Sequence, residues 1–199
     1  HVLIKRLGHT LEETIRPANC ENVWIAPSNL AMSQLVSEFE RDGHRLQILV
    51  HGLQEVADRF DYCLIDTNPG VNSFTEAALY AADLVLGPLP PEGQADQGFV
   101  DLRGVLGELN RFNDNPTAMV GIVTKWDHRT KRTHGVYWQQ VEGSQIPLLA
   151  SRIQKSEIVN QAGMLRATAF DMQASHPICG AFKELADEVM SLFVEEEVV

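Results

Sequence analysis

Asp66 is the residue of this sequence best placed to do chemistry. It follows the short apolar run Cys63–Ile65 and precedes a segment of turn-forming residues, Thr67–Gly70. Parallel sheets bind ligands beyond the carboxyl ends of their strands, so a carboxylate in this position would face a ligand crevice. We predict that Asp66 ends a buried parallel strand, and that any metal bound here is magnesium held through Asp66.

The cysteines and histidines form no recognisable metal or disulfide pattern. The cysteines are scattered and include no Cys-x-x-Cys pair, which argues against a disulfide framework and a zinc knuckle. We interpret all three as reduced and structural: Cys20, Cys63 and Cys179. No two histidines form a His-x-x-x-His pair, so a metal-histidine site is not expected. His176 with Cys179, and Gly143 with Ser144, lack the partners of a nucleophilic site and are also interpreted as structural.

Length and composition predict a single globular domain covering residues 1–199. The chain has 44% hydrophobic and 22% charged residues, enough to bury a core without disulfides or metals. It has no run of about 18 apolar residues, and its first apolar run is too short for a secretory signal. The stretch from Phe193 to Val199 is acidic, so attachment to a membrane surface is not expected. These features predict a cytoplasmic protein.

The charge is unevenly distributed along the chain. A net charge of -11 argues against a protein that binds nucleic acid over its whole surface, because phosphate contacts need clustered Lys and Arg. The window from Lys125 to Arg166 differs, since it holds seven basic residues against three acidic ones, a local charge of +4. The overall charge therefore does not exclude a contact between this window and nucleic-acid phosphates.

Hydrophobic periodicity and helix-capping residues predict the helices and strands that position these residues. One helix is predicted from apolar residues at three- and four-residue steps, namely Leu46, Leu49, Val50, Leu53, Val56, Ala57 and Phe60. Further helices are predicted over Leu30 to Glu40, Ala77 to Ala82 with a cap at Ser73, Ala95 to Phe112, Val136 to Val141, and Ile178 to Phe193. Besides the Asp66 strand, strands are predicted over Val23 to Ala26, Leu84 to Leu89, Met119 to Thr124, and Ile146 to Ala150.

Strands that alternate with helices at this spacing indicate an α/β fold with a parallel sheet covered by helices on both faces. The carboxyl ends of the predicted strands carry Asp66, Leu89 to Glu92, Thr124 to Asp127, and Ala150 to Arg152. We expect the ligand site along this edge of the sheet.

Several motifs, in order, resemble those of the ParA/Soj partition ATPases, which are related to MinD. The run Phe60–Gly70 is similar to the Walker B strand and switch II turn of that family, with Asn68 in place of the first of two prolines. The segment Thr124–Thr130 is similar to the family's Thr-x-x-Asp-x-Arg-Thr loop. Other similar segments follow the family order: Leu11 to Leu35 weakly, then Ala77 to Asp83, Leu84 to Pro88, Ser156-Glu157, Gly163, and Ala181 to Glu188.

The resemblance implies a MinD-type P-loop NTPase fold and roles for particular residues. It implies that Asp66 retains magnesium through a water molecule, and that the residues of the turn sense the γ-phosphate of ATP. Those residues are Thr67, Asn68, Pro69 and Gly70. Thr124 and Asp127 would lie beside the adenine and ribose. An ordinary strand end, turn and helix cap remain the alternative interpretation of the same residues.

The resemblance also implies partners. Family members form ATP-dependent homodimers that bind DNA without sequence specificity and are stimulated by a ParB-like protein. The basic residues that would contact the phosphate backbone are Arg129, Lys131, Arg132, Arg152 and Lys155. A solvated basic loop is the alternative for these residues.

One motif of the family is missing from this sequence. The phosphate-binding loop Gly-x-x-x-x-Gly-Lys-[Ser/Thr] surrounds phosphates with backbone N–H groups and a lysine, and none of the 14 glycines here precedes a lysine. We expect either a fragment without the N-terminal strand-loop-helix unit or a relative that has lost it. The chain by itself is expected to bind ATP weakly or not at all, and not to hydrolyse it.

Two other functions stay open from the sequence. The first is a nucleotide-free interaction or regulatory module that keeps the sheet and the dimer surface. The second is another member of the wider P-loop group, such as a metal-cluster or amidotransferase relative, which the absence of paired cysteines does not favour.

Overall fold

The computed structural model describes residues 10–28, 39–68, 70–91, 95–127, 145–194 and the four positions 137, 139, 141 and 143. The chain divides into two compact units. The first comprises residues 1–83 and 104–117, and the second comprises residues 84–103 and 118–199. Each is described by itself.

The first unit contains short elements and two longer helices. Helix α1 is Leu11–Thr14, β1 is Arg16–Pro17, β2 is Trp24–Ile25, α2 is Arg45–Gln54 and α3 is Ser73–Ala81. A 3-10 turn spans Ala57–Arg59, and a second spans Asn110–Phe112 at the end of helix α4, which is Ala95–Leu109. The predicted strand at 23–26 is confirmed at its centre, but β2 pairs antiparallel with β1 in a separate two-stranded sheet.

Helices α2 and α3 pack together to form the core of the first unit. Ile48 on α2 and Ala77 on α3 are buried with Phe39, whose ring stacks on Phe74 at 4.8 Å between centroids. The predicted helix over 46–60 is confirmed only to Gln54, where a turn and the 3-10 segment replace it. The buried row of this segment is Ile48, Gly52 and Val56, spaced by four residues, rather than the neighbouring leucines. The predicted helix over 30–40 lies outside the described residues except for its helical end, 39–40.

The N-cap of helix α3 lies one residue before the predicted cap, and the helix itself begins at Ser73. The Asn72 side chain, rather than that of Ser73, accepts hydrogen bonds from the backbone amides of Phe74 at 2.9 Å and Thr75 at 3.1 Å. The Ser73 hydroxyl instead lies 3.2 Å from a Glu40 carboxylate oxygen. An Asn cap of this kind typically stabilises a helix by about 1 kcal/mol relative to Ala.

A buried polar cluster holds the end of α4 against α3. The Asn110 side chain pairs with both backbone groups of Thr117, donating to its carbonyl at 2.9 Å and accepting from its amide at 3.0 Å. The buried Thr117 hydroxyl lies 2.7 Å from the carbonyl oxygen of Ala82 and 3.1 Å from that of Leu79. These hydrogen bonds satisfy backbone groups at the C-terminus of α3, which its own helix leaves without partners.

The predicted buried strand that ends at Asp66 is wrong in this structure. Residues 62–68 belong to no strand, and their side chains are exposed, with Leu64 at 91% and Tyr62 at 59%. A strand requires a neighbour that pairs with its N–H and C=O groups, and the described part of the chain supplies no ladder for residues 63–66. The apolar run therefore lies outside the sheets.

The second unit contains the parallel sheet. Its strands are β3, Leu84–Leu89, β4, Ala118–Trp126, and β5, Leu148–Gln154, in the order β3-β4-β5. Both pairs are parallel, with Leu84 opposite Ala118 and Gly121 opposite Leu148. The strand predicted at 84–89 is confirmed. The strand predicted at 119–124 is also confirmed and is longer than predicted. The strand predicted at 146–150 is present, but it begins and ends later in the chain, at Leu148 and Gln154.

Helices cover both faces of this sheet, which confirms the predicted layer arrangement. Phe99, on the part of α4 that belongs to the second unit, packs over Gly87 so closely that a Cβ there would lie 2.5 Å from the ring. On the opposite face, Ile122 and Ile153 pack against Ile178 and Cys179 of α7, Pro177–Val194. Gly87 is thus required by packing rather than by its backbone conformation.

The C-terminal segment adds three helices, of which only the last is predicted from periodicity. They are α5, Glu157–Leu165, α6, Ala169–Gln173, and α7. The His176 Nδ1 atom accepts a hydrogen bond from the amide of Ile178 at the start of α7, and Cys179 is buried, so both are structural as predicted. Cys20 and Cys63 are also free, as predicted, and are exposed, so neither packs in a core. The predicted helix at 136–141 is helical at its described positions, 137, 139 and 141.

Candidate functional site

The carboxyl ends of the three parallel strands form the candidate site of the second unit. Leu89, Trp126 and Gln154 end β3, β4 and β5 at the same edge of the sheet. Ligands of parallel α/β sheets bind at this edge, because backbone groups and loop residues project there beyond the last hydrogen bonds of the ladder.

The end of β4 is distorted by a residue in the left-handed region. Lys125 has a φ of 53°, a conformation that costs a non-glycine residue about 1 kcal/mol or more. Val123 lies opposite Arg152, and Trp126 lies opposite Gln154, so β4 has one more residue than β5 between these two pairs. This is a β-bulge, and bulges re-aim the side chains that follow them.

The bulge brings Trp126 to the side of the sheet that carries Arg152. The guanidinium carbon of Arg152 lies 5.6 Å from the centre of the Trp126 ring, within cation–π range. The backbone amide of Lys155 donates to the carbonyl of Trp126 at 2.9 Å and so fixes the end of β4 to the residue after β5. Arg152 and Lys155 are both exposed.

A carboxylate from α7 holds β5 just before this edge. The two Glu188 carboxylate oxygens accept from the backbone amides of Ala150 at 2.6 Å and Ser151 at 2.8 Å. Partial burial raises the pKa of the Glu188 carboxyl, but the hydrogen bonds from Ser151 and Ala150 outweigh it, so this pKa lies below its ordinary value. Glu188 thereby satisfies two amides where β5 departs from regular pairing with β4.

The structure brings together part of the predicted site. Thr124 and Asp127 are half-buried at the end of β4, in the same unit as the exposed Arg152 and Lys155. Their predicted roles toward adenine, ribose and DNA stay predictions. The three basic residues of the following loop lie outside the described residues, namely Arg129, Lys131 and Arg132.

The remaining predicted residues lie in the first unit. Asp66, Thr67 and Asn68 are exposed on the segment outside the sheets, and Pro69 lies outside the described residues. Gly70 has a φ of 98°, which favours glycine, and its carbonyl accepts from the Thr75 hydroxyl at 3.1 Å. Gly70 therefore lies in a bend shortly before α3.

The described residues do not supply a complete magnesium site. Magnesium in nucleotide sites is held by one or two carboxylates together with water and substrate phosphates. Asp66 is accessible for such a contact through water, but no group of three or more His, Cys, Asp or Glu side chains gathers within the part of the chain that the structure describes. A magnesium ion at Asp66 would therefore depend on water and phosphate for its other ligands.

Sequence reasoning gave no role to three residues of the strand-end site, namely Lys125, Trp126 and Glu188. Lys125 gives no sequence signal, because the left-handed region at a bulge is usually marked by Gly or Asn. Trp126 and Arg152 lie on different strands, and only the register of those strands brings them together. Glu188 reaches Ala150 across 38 positions, so its role follows from the packing of α7 on β5 alone.

Comparison with known families decides the relationship. The family AAA_31, described as an AAA domain, matches residues 1–117, more than half of the chain. This chain belongs to the AAA_31 family. The predicted relationship to the ParA and MinD partition ATPases is thereby confirmed, together with the P-loop-type α/β fold.

Individual relatives agree with this AAA_31 assignment. The virulence plasmid ParA family protein pGP5-D of Chlamydia psittaci is 24% identical over 206 residues, which cover 98% of this chain and 75% of the relative. A variant of McdA from Cyanothece, in complex with ATP, superposes with a TM-score of 0.80 at 18% identity, over 94% of this chain and 73% of McdA. A putative plasmid partition protein of Borrelia burgdorferi B31 bound to AMPPNP gives 0.75 at 21% identity, over 97% and 72%. At these identities the likeness to the solved structures shows a common fold alone.

Within the described ranges of this AAA_31 chain, no helix combines the length and the apolar character needed to span a bilayer.

Replacement of Glu188 by Gln should make stability less dependent on pH. The lowered pKa means that the ionised carboxylate stabilises the fold above the ordinary Glu pKa of about 4.3, and that this contribution disappears as the pH falls through the lower folded pKa. Glu188→Gln should therefore lower the free energy of unfolding by about 1 kcal/mol near pH 7, after allowance for solvent screening, and by much less near pH 3.

Urea unfolding of both proteins across this pH range measures the difference. Glu184→Gln is the matched control, because Glu184 is exposed one turn earlier on the same helix. An equal loss of stability at both pH values would contradict the assigned role of the Glu188 carboxylate.

Proposed function

We propose that this chain is part of a ParA-type partition ATPase whose intact form binds ATP, dimerises and holds DNA. The observation that carries the proposal is the family match together with a parallel sheet whose strand ends bear the Thr124–Asp127 motif. A protein of the same fold, McdA, forms a complex with ATP. A ParB-like partner, a homodimer and a cytoplasmic location belong to the same proposal.

In the proposed ATPase, the strand-end residues bind the nucleoside side of ATP. Thr124 and Asp127 are half-buried at the end of β4, where a hydroxyl and a carboxylate are able to bond base and ribose donors. Asp66 would retain magnesium through water, and the turn over 67–70 would respond to the γ-phosphate. Magnesium would supply charge neutralisation of the phosphates when bound.

The phosphates need a cradle that this sequence does not encode. A helix N-terminus with consecutive backbone amides and a lysine is what holds a triphosphate in such folds, and no Gly-Lys pair occurs among these residues. We infer that residues 1–199 alone retain the nucleoside side of the site and lack its phosphate side.

In this proposal, DNA is contacted by the basic window from Lys125 to Arg166, which lies in the second unit. Arg152 and Lys155 are exposed at the carboxyl edge of the sheet, while the chain as a whole carries a charge of -11. A local basic surface on an acidic protein binds the phosphate backbone without coating the whole protein. The loop residues Arg129, Lys131 and Arg132 would extend this contact.

One observation favours a second function, a nucleotide-free interaction module. The segment 63–66, which lies outside the sheets, exposes Leu64 and Ile65, and this is unusual for a run with strand character. A partner polypeptide that adds a strand there would bury them. This module needs neither ATP nor magnesium.

Titration of the chain with Mg-ATP tests whether residues 1–199 form a complete nucleotide site. We expect no micromolar binding in isothermal titration calorimetry, because most of the affinity of such sites comes from phosphate contacts that are missing here. Addition of the chain's own upstream coding sequence, if it encodes a Gly-Lys loop, should restore binding. A micromolar site in residues 1–199 would contradict the inferred loss of the phosphate side.

Duplex DNA binding tests the proposed partner. Fluorescence anisotropy of the intact protein with Mg-ATP and a short labelled duplex should show binding that weakens steeply between about 50 and 200 mM salt. The double variant Arg152→Gln with Lys155→Gln should reduce the slope of log K against log salt by about 2, since each lost phosphate contact releases about one fewer counterion.

The matched control changes the same charge elsewhere. Arg41 and Arg111 are exposed in the first unit, and the double variant Arg41→Gln with Arg111→Gln should leave the slope unchanged. Duplex binding by the intact protein with Mg-ATP that is undetectable, or insensitive to salt, would remove DNA from the proposed function.

A further inference from the structure

Helix α5 of the second unit exposes an uncharged side that carries large apolar residues. We call this side the outer face of α5; it consists of Val159, Asn160, Gly163 and Met164, which steps of three and four residues place together. Met164 is 84% exposed and Val159 is 38% exposed. The adjoining Leu165 is exposed as well. A helix of nine residues with three exposed large apolar side chains has the character of an interaction surface.

The opposite side of α5 makes the contacts with its own unit. Ala162 is buried, and Ile158 packs against the core cluster that α7 covers. The two residues are four positions apart, so they form one row along the helix. The fold of the unit therefore uses one side of α5 and leaves the outer face in contact with solvent.

Gly163 lies in the middle of the outer face without a reason in its own unit. None of the described residues has an atom within 4 Å of the position that a Cβ would take there. Glycine inside a helix is less favourable than alanine. What glycine provides at such a place is a close approach of a second backbone, as between two packed helices.

The charges of α5 lie at its ends and have opposite signs. Glu157 is the first residue and the only charged one of the helix, and Arg166 follows the last residue. The Glu157 carboxylate accepts a hydrogen bond from the Asn160 side chain at 3.4 Å. Within the part of the chain that the structure describes, neither Glu157 nor Arg166 forms an ion pair. Lys155 precedes the helix, and its amide is bonded to Trp126 at the strand ends.

A second copy of the same helix complements this pattern when it runs antiparallel. Glu157 of each copy then comes to Arg166 of the other, whereas a parallel arrangement would bring like charges together. A two-fold axis makes this contact occur twice, with the outer faces between the two pairs of charges. The chain therefore supplies both halves of a matching surface.

We propose that two copies of this chain associate through the outer faces of their α5 helices, antiparallel and without nucleotide. This inference goes beyond the proposed function, whose dimer depends on ATP. One face of a short helix is a small interface, so the association is weak, with a Kd of about 10 to 500 µM.

Sedimentation equilibrium of residues 1–199 without nucleotide tests the proposal. The concentration runs from about 5 µM to about 1 mM at about 150 mM salt. A reducing agent is present because Cys20 and Cys63 are exposed. The wild type should show a reversible equilibrium between monomer and dimer.

Charge exchange between the helix ends is the decisive series. Glu157→Arg and Arg166→Glu should each weaken the dimer about five- to thirtyfold, because each turns both end contacts into repulsions. The variant with both changes restores opposite charges and should return to within about threefold of the wild type. Met164→Asp places a charge between the two faces and should weaken the dimer more than about tenfold.

Matched controls make the same changes in the first unit. Glu108→Arg and Arg111→Glu reverse the charges of an exposed pair, and Phe112→Asp changes an apolar residue that is 78% exposed. All three should leave the association unchanged. Circular dichroism establishes that each variant is folded, and if Glu157→Arg does not fold, Arg166→Glu and Met164→Asp still decide the question.

Three results would overturn the proposal. A wild type that stays monomeric to about 1 mM would assign the outer face to a different protein. A dimer that survives Met164→Asp would place the contact elsewhere, and an exchange variant as weak as the single ones would remove the antiparallel pairing. None of these results bears on the ATP-dependent dimer of the proposed function, which is measured on the intact protein with Mg-ATP.

Discussion

The pairing of β4 on both of its edges is the interaction on which the parallel sheet and its candidate site depend. β4 pairs with β3 on one side and β5 on the other, and its side chains pack into the core beneath α7. Buried backbone groups are costly unless they are paired, so a strand persists only where neighbours satisfy its N–H and C=O groups. The candidate site lies at the carboxyl end of this central strand because that is where both ladders end.

The same need for a paired neighbour strand explains why the segment that carries Asp66 is exposed and lies outside the sheets. Residues 63–66 have the apolar character of an interior strand, yet the described chain offers them no ladder, and they are exposed. Apolar side chains on both faces suit a strand inside a parallel sheet rather than at the surface. The carboxylate of Asp66 is therefore carried by a segment that no described strand fixes in place.

Local signals account for the parts of the fold that the sequence predicts correctly. The strand at Leu84–Leu89 and the helices at Ala95–Leu109 and Pro177–Val194 have long apolar patterns of one period, and each is present. The motifs around Asp66 and Thr124 also suffice for the family relationship, which the match over residues 1–117 confirms.

Features that depend on distant residues are not predictable from one sequence. Residues 63–66 form a strand only if an adjacent strand pairs with them. The apolar pattern of these residues alone therefore gives the wrong prediction of a buried strand. The Lys125 bulge places a lysine in a conformation that usually belongs to glycine, and propensity gives no reason to expect it. Glu188 reaches β5 only after α7 has packed on the sheet, so neither its contact nor its lowered pKa has a local signal.

Amide hydrogen exchange, read residue by residue, tests the central claim that β4 is held on both sides while the Asp66 segment has no ladder. The account predicts slow exchange for the amides of Val120 to Val123, which open only with the unit as a whole, and fast exchange for those of Cys63 to Ile65. Protection of Cys63 to Ile65 as strong as that of β4 would contradict the account, because it would mean that the segment is paired within the chain.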